Sequence, residues 1–123
     1  MDSPDSLAHS FTQWLERSLA PAPSTLPISV ELTDSPFVAE LVVAERFDPE
    51  DDDWACEEVW RGAERFEFSP SCGETPWQER LELVRGLLTK WLAAEPSLWR
   101  EKQPPALALG FVDGDLVVLH APA

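Results

Sequence analysis

The spacing of apolar residues predicts a helix close to the start of the chain. An apolar stripe at helical spacing comprises Leu7, Phe11, Trp14, Leu15 and Leu19. Asp2 or Ser3 can cap this helix, and Pro4 suits its first turn, where no backbone donor is needed. The helix is expected to end at Pro21-Ala22-Pro23, because proline cannot continue the hydrogen-bond ladder.

A second apolar stripe predicts the other main helix. It comprises Trp77, Leu81, Val84, Leu88, Trp91 and Leu92. Thr75, Pro76 and Gln78 form a capping-box pattern, in which the side chains of the cap and of the third helical residue satisfy free backbone N–H groups. Pro96 is expected to stop the helix, and a short helical turn is expected at 97–100.

Alternation of apolar and polar residues predicts the strands. Residues 27–33 alternate regularly, and residues 37–45 are mostly apolar and rich in strand-forming types. Together they predict an antiparallel hairpin with its turn at Asp34-Ser35-Pro36. Residues 54–60 and 64–68 are interpreted as two further strands, although 54–60 also fits a helical turn.

The end of the chain predicts a closing hairpin. Residues 106–112 and 115–119 flank Asp113-Gly114, a pair typical of a type I′ turn with positive φ at both positions. The complete order is therefore α-β-β-β-β-α-β-β. It indicates an α+β fold in a single domain, residues 1–123, with an antiparallel sheet of about five to six strands and two main helices packed on one face.

The charge balance changes this picture by restricting the possible partners. Nine Lys and Arg stand against 23 Asp and Glu, for a formal net charge of −14. Phosphate backbones and anionic membranes repel such a chain, so neither nucleic acid nor membrane is expected as a partner. A basic protein would be attracted, although acidity that only favours solubility explains the composition equally well. With no apolar run of roughly 20 residues and no signal-like N-terminus, we expect a cytoplasmic protein, and its oligomeric state is open.

The chain has few groups from which an enzyme could be built. His9 and His120 are far apart, none of the common nucleophile, phosphate-loop, dinucleotide or zinc-protease motifs occurs, and no cofactor is expected. Cys56 and Cys72 are expected to be free thiols, although a disulfide between them stays open.

On a strand Glu58 is expected to share one face with Trp54, Cys56 and Trp60. A carboxylate in such a place is either an interface group or the acid of a small hydrolase with a raised pKa. No second carboxylate is placed to assist it, which favours the interface.

The acidic stretch that begins at Asp48 suggests calcium but does not match a calcium loop. Asp48, Glu50 and Asp52 fall at the first, third and fifth positions of a hypothetical EF-hand. Such a loop also needs Gly at its sixth position and Glu at its twelfth, where this chain has Asp53 and Val59. A solvated loop without a metal ion is therefore expected.

The interval 45–67 is the best candidate for a binding surface. Its carboxylates are Glu45, Asp48, Glu50, Asp51, Asp52, Asp53, Glu57, Glu58, Glu64 and Glu67. Its basic residues are Arg46, Arg61 and Arg65. Interfaces combine aromatic anchors with charge that steers the partner. The predicted partner-binding residues are Asp51, Asp52, Asp53, Trp54, Glu57, Glu58 and Trp60. Phe66 and Phe68 are expected to fill the core instead.

The C-terminal half resembles the small acidic immunity proteins of bacterial polymorphic-toxin systems. The resemblance lies in the capped helix TPWQERLELVRGLLTKWL and the hairpin GFVDGDLVVL that follows it. It implies a non-enzymatic inhibitor that binds one cognate toxin and blocks it, and it assigns no individual binding residue. On this hypothesis the interval 45–67 docks on a basic toxin surface, with Trp54 and Trp60 as anchors.

The order of helix, strands, helix and strands also resembles that of type III secretion chaperones. This second resemblance implies a small acidic dimer that holds a secreted effector. Those chaperones usually finish with a third helix, whereas this sequence finishes at Ala121-Pro122-Ala123. The chaperone is therefore the alternative, and the immunity-type inhibitor is the preferred hypothesis.

Overall fold

The computed structural model describes residues 4–34, 36–68, 76–112 and 114–121. The helices are α1 (Pro4–Leu19), a 3-10 helix (Asp52–Cys56), α2 (Trp77–Ala93) and α3 (Ser97–Lys102). The strands are β1 (Ile28–Thr33), β2 (Val38–Ala44), β3 (Glu58–Arg61), β4 (Phe66–Glu67), β5 (Leu107–Phe111) and β6 (Val117–His120). The predicted α+β class and element order are confirmed, and the expected helical turn after Pro96 is the short helix α3.

The sheet has the strand order β3-β2-β1-β5-β6, and β4 also pairs with β2. Strand β1 pairs antiparallel with β2 and parallel with β5, so the sheet is mixed and not antiparallel throughout. The parallel pair arises because the chain crosses over through α2 and α3 before β5 enters the sheet beside β1. Pairs β1–β2, β2–β3, β2–β4 and β5–β6 are antiparallel, as expected.

The main core lies between the sheet and the helices α1 and α2, which cover the same face. Ile28, Val30 and Leu32 alternate along β1 and are all buried towards the helices. Phe68 is buried in this core and Phe66 packs partly buried against it, which confirms both expectations. Each buried aromatic ring removes roughly 150–250 Å² from water, so this face supplies most of the hydrophobic stabilisation.

Two connections differ from the sequence-based expectations for local reasons. The side chain of Asp51 accepts a hydrogen bond from the backbone N–H of Asp53 at 3.0 Å, which starts the 3-10 helix and delays the strand to β3. In the closing hairpin, the N–H of Val112 donates to the carbonyl of Leu32 on β1. Strand β5 ends at Phe111 and β6 begins at Val117, so the two strands are not joined directly by the predicted two-residue turn, whose first residue, Asp113, lies outside the described residues.

Some predicted features lie outside the described residues. They are the helix caps Asp2, Ser3 and Thr75, the cysteine Cys72 and the turn residues Ser35 and Asp113. Helix α2 begins at Trp77, with Pro76 as the residue before it, where no side chain caps the helix. Within the described ranges, no helix is long and apolar enough to span a bilayer.

Candidate protein-binding surface

Most of the predicted binding residues lie on one excursion of the chain between β2 and β3. The N–H of Glu45 donates to the carbonyl of Glu57 at 3.0 Å and closes the excursion at its base. Carboxylates exposed on it and at the start of β3 are Glu45, Glu50, Asp51, Asp53, Glu57 and Glu58, here called the acidic surface. Asp52 lies in the 3-10 helix of the same excursion, but its side chain is outside the described set.

Trp54 faces inward, contrary to its predicted role as an anchor for a partner. Only 2% of this residue is exposed, and it packs with Ala44 and Ala108 on the sheet face opposite α1 and α2. The ring of Phe47 meets it edge-on, with the centroids 5.1 Å apart. A partner cannot reach the indole in this conformation. Trp54 instead attaches the acidic excursion to the protein's own sheet.

A β-bulge places Trp60 and Glu58 on opposite faces of the sheet. Glu58 pairs with Ala44 and Trp60 pairs with the preceding residue, Val43, so Val59 is the extra residue of β3. One extra residue reverses the side-chain alternation. Trp60 therefore turns to the helix-covered face, where it packs partly buried against the main core. The expectation that both residues share one face is wrong.

Arg61 holds a cluster of glutamates on the other face of the sheet. Its guanidinium contacts Glu58 at 2.8 Å, Glu31 at 3.3 Å and the carboxylate of Glu40. Glu31 and Glu40 are direct cross-strand partners on β1 and β2. Like charges directly opposite each other destabilise a sheet, and the guanidinium between them offsets that repulsion. Three carboxylates around one cation leave the cluster net negative, so it extends the acidic surface across the sheet.

The electrostatics of Glu58 are those of a paired surface carboxylate. The hydrogen bond from Arg61 lowers the pKa of Glu58 below its ordinary value; desolvation acts in the other direction, and the charge of Arg61 adds to the lowering. The same hydrogen bond raises the pKa of Arg61. A general acid at neutral pH needs a raised pKa. The lowered pKa of Glu58 is therefore the opposite of the shift that the hydrolase hypothesis requires.

The contribution of the Glu58–Arg61 pair to stability is expected to disappear in acid. Folding lowers the pKa of Glu58. The pair therefore contributes fully to the free energy of unfolding above the unfolded-state pKa of about 4.3, and this contribution is lost as the pH falls through the lower, folded-state pKa. Urea unfolding of the wild type and of Glu58→Gln should differ at neutral pH, and this difference should shrink towards zero on acidification. Glu79→Gln, on exposed α2 surface, is the control. A difference that stays constant with pH would contradict the charge-based explanation.

Two other ionisable residues of the excursion, Glu57 and Cys56, are exposed. Glu57 forms an exposed pair with Arg46 at 3.3 Å. Cys56 is exposed and has a free thiol. Over the described ranges, no three residues of the His, Cys, Asp and Glu types are arranged to hold a metal ion.

Sequence reasoning missed the exposed apolar residues. Val59, Trp77, Val112 and Val118 are 53%, 51%, 58% and 41% exposed. Trp77 belongs to the apolar stripe predicted for the second helix, and such a stripe is expected to face the core. Its position in the first turn, directly after Pro76, is the signal that could have found it, because the end of a helical stripe can extend past the sheet it covers.

No protein-family model matches the chain, and no match was found among curated proteins or solved structures. Function must therefore be inferred from the chemistry of the surface itself.

Proposed function

We propose that this chain is a non-enzymatic protein-binding module, an immunity-type inhibitor that occludes a basic site on a cognate toxin. The observation that carries the proposal is the gathering of exposed carboxylates on one excursion, closed by the hydrogen bond between Glu45 and Glu57. The Arg61 cluster adds net negative charge on the sheet face that α1 and α2 do not cover.

The excursion is ordered before any partner arrives. Trp54 fixes it to the sheet, and the side chain of Asp51 accepts the N–H of Asp53 within it. Association costs less when the binding segment needs no further ordering. The charge of the acidic surface attracts a basic partner and raises the association rate, and the bulk of the domain then blocks the covered site.

Neutralising the acidic surface is expected to slow association with a cognate toxin, for which the protein encoded beside this gene is the candidate to be tested. The test variant carries Glu45→Gln, Glu50→Gln and Asp53→Asn, exposed residues without an ion-pair partner among those described. The control carries Glu79→Gln, Glu95→Gln and Glu101→Gln on the exposed surface of α2, α3 and the turn between them. Both variants change the net charge equally. Stopped-flow kinetics at low salt should show about a tenfold slower association for the test variant and less than about a twofold change for the control.

Each other outcome contradicts a defined part of the proposal. Equal slowing by both variants would mean that net charge alone steers the partner and that the acidic surface is not the binding site. Absence of binding to the protein encoded beside this gene would contradict the proposed immunity function. Capture of an unfolded secreted effector by a stable dimer would favour the chaperone alternative instead.

A further inference from the structure

A depression of about 550 Å³ lies where β1 and β5 end, beside the first turn of α2. Strands β1 and β5 are parallel, so both reach this depression with their carboxyl ends, at Thr33 and Phe111. Open sheets with parallel strands commonly bind ligands at that end. The volume also lies within the range of pockets that hold small molecules, roughly 300–1,000 Å³. Both its position and its size therefore indicate a ligand site.

Backbone contacts build the walls of this depression before any ligand arrives. The N–H of Val112 donates to the carbonyl of Leu32 at 3.0 Å, which fixes the chain after β5 to the end of β1. Gly110 allows that chain to approach β5 closely, because a Cβ there would stand 3.0 Å from the carbonyl oxygen of Asp115. The backbone of Asp115 therefore packs directly on β5. A site that needs little further ordering costs less free energy to occupy.

The lining is mainly apolar and includes an exposed aromatic side chain. Trp77 is 51% exposed, and its ring meets that of Phe111 edge-on, with the centroids 6.3 Å apart. Val112, which is 58% exposed, and the partly buried Leu81 and Val117 also line the depression. A ligand with an apolar body would remove this surface from water, which is favourable in free energy.

The charge of the depression is negative. Among the described residues, the ionisable side chains of the lining are both carboxylates, those of Asp34 and Asp115. Arg80 pairs with Asp34, and its side chain is only 10% exposed. Asp115 is exposed, and no described basic residue forms an ion pair with it. One carboxylate without a compensating cation therefore remains beside the apolar lining.

The first turn of α2 does not reverse this charge. A helix N-terminus carries roughly half a positive charge, which favours an anion. Glu79 lies in the same turn and offsets that charge, and Asp34 already occupies Arg80. The formal net charge of −14 also attracts cations and repels anions. A positively charged ligand therefore matches the depression better than a negatively charged one.

We propose that this depression binds a small organic cation, an ammonium group carried on an apolar body. The apolar body covers Leu81 and Val117, and the ammonium group pairs with the carboxylate of Asp115 and contacts the indole of Trp77. An ammonium ion is stabilised both by a carboxylate and by the electron-rich face of an aromatic ring. The depression contains none of the carboxylates of the acidic surface, so this inference does not rest on the proposed function.

Three probes that share a phenyl ring separate the effect of charge from that of apolar contact. They are phenethylamine, a cation at neutral pH, phenethyl alcohol, which is neutral, and phenylacetate, an anion. NMR titration of the isotopically labelled protein follows the indole N–H of Trp77 and the amide of Gly114, which also lines the depression. Phenethylamine should bind saturably and at least about fivefold more tightly than phenethyl alcohol, and phenylacetate should not bind.

Two pairs of variants locate the site. Asp115→Asn should weaken phenethylamine binding by at least about fivefold and leave phenethyl alcohol unchanged. Its control is Glu101→Gln on the exposed surface of α3, which changes the net charge equally. Trp77→Ser should weaken both probes by at least about fivefold, whereas Val59→Ser, a similarly exposed residue on β3, should change binding by less than about twofold. Val112→Ser replaces Trp77→Ser if that variant fails to fold by circular dichroism.

Each contrary outcome overturns the proposal. Equal affinity for phenethylamine and phenethyl alcohol would show that the ligand needs no charge. Absence of saturable shifts at both reporters, or equal loss with Asp115→Asn and Glu101→Gln, would show that the depression is not the site. A wild-type dimer that Trp77→Ser converts to a monomer in sedimentation would assign the depression to a second copy of the chain.

Discussion

Replacing Trp54 with alanine is expected to lower the free energy of unfolding by about 3–5 kcal/mol. The residue is 2% exposed and is the largest member of the small cluster on the second sheet face. Its neighbours on the strands, Ala44 and Ala108, are too small to fill the space that the indole would leave. The cavity term is therefore added in full to the loss of buried apolar surface.

The same substitution is expected to release the acidic excursion. Hydrogen exchange of the Glu45 amide, which donates to Glu57, reports this opening, and urea unfolding reports the stability. Trp54→Phe is the control. The phenyl ring fills most of the space of the indole, and no hydrogen bond is lost, since Nε1 of Trp54 has no partner among the described residues. This control should lower the free energy of unfolding by less than about 1.5 kcal/mol. A near-neutral Trp54→Ala with unchanged exchange would show that Trp54 does not hold the excursion.

Replacing Arg61 with glutamine is expected to lower the free energy of unfolding by about 2 kcal/mol. This value is in the range for hydrogen bonds to charged groups, after a reduction for screening by solvent. The side chain is 34% exposed and is shared by Glu31, Glu40 and Glu58. Without the guanidinium, Glu31 and Glu40 stand opposite each other on β1 and β2 with no cation between them. Chemical unfolding at neutral pH and low salt measures the loss.

Two further variants separate this cluster from ordinary surface pairing. Arg17 pairs with Glu64 at 2.8 Å, but both side chains are more than half exposed, so Arg17→Gln should leave the free energy of unfolding nearly unchanged. Adding Glu40→Gln to Arg61→Gln should recover part of the loss, because it removes the repulsion from Glu31. If the double variant shows no recovery, like-charge repulsion across the strands is not the cause.

Helices and strands could be predicted where a regular spacing of apolar residues is followed directly by residues that end the element. The stripe from Leu7 to Leu19 ends at a proline-rich run, and α1 ends where that run begins. The alternation of 27–33 likewise identified the buried face of β1. These features depend on near neighbours alone, so composition and spacing are sufficient to find them.

The candidate site was less predictable because distant residues build it. Trp54 follows a run of acidic residues in the sequence, which suggested that it is exposed. In the structure it packs against Ala44 and Ala108, which lie on two different strands. The parallel pairing of β1 with β5 could not be predicted either, because the alternation of apolar and polar residues along a strand does not depend on the direction of the neighbouring strand.

Glu31 and Glu40 show how register creates a site from ordinary positions. Each lies on the strand face turned away from α1 and α2, and only the pairing of β1 with β2 sets them opposite each other. The bulge at Val59 then determines which residues of β3 face them. A shift of one residue in either pairing would remove the cluster around Arg61.

The central position of β1 has a consequence for synthesis of the protein. Ile28 and Leu107 are partners in the parallel pair, so one side of β1 stays unpaired until residues 107–111 have left the ribosome. Contacts between residues so far apart form slowly, because a long loop must close before they are made. Until then the nascent protein has an incomplete sheet, the state in which association between unfinished chains begins.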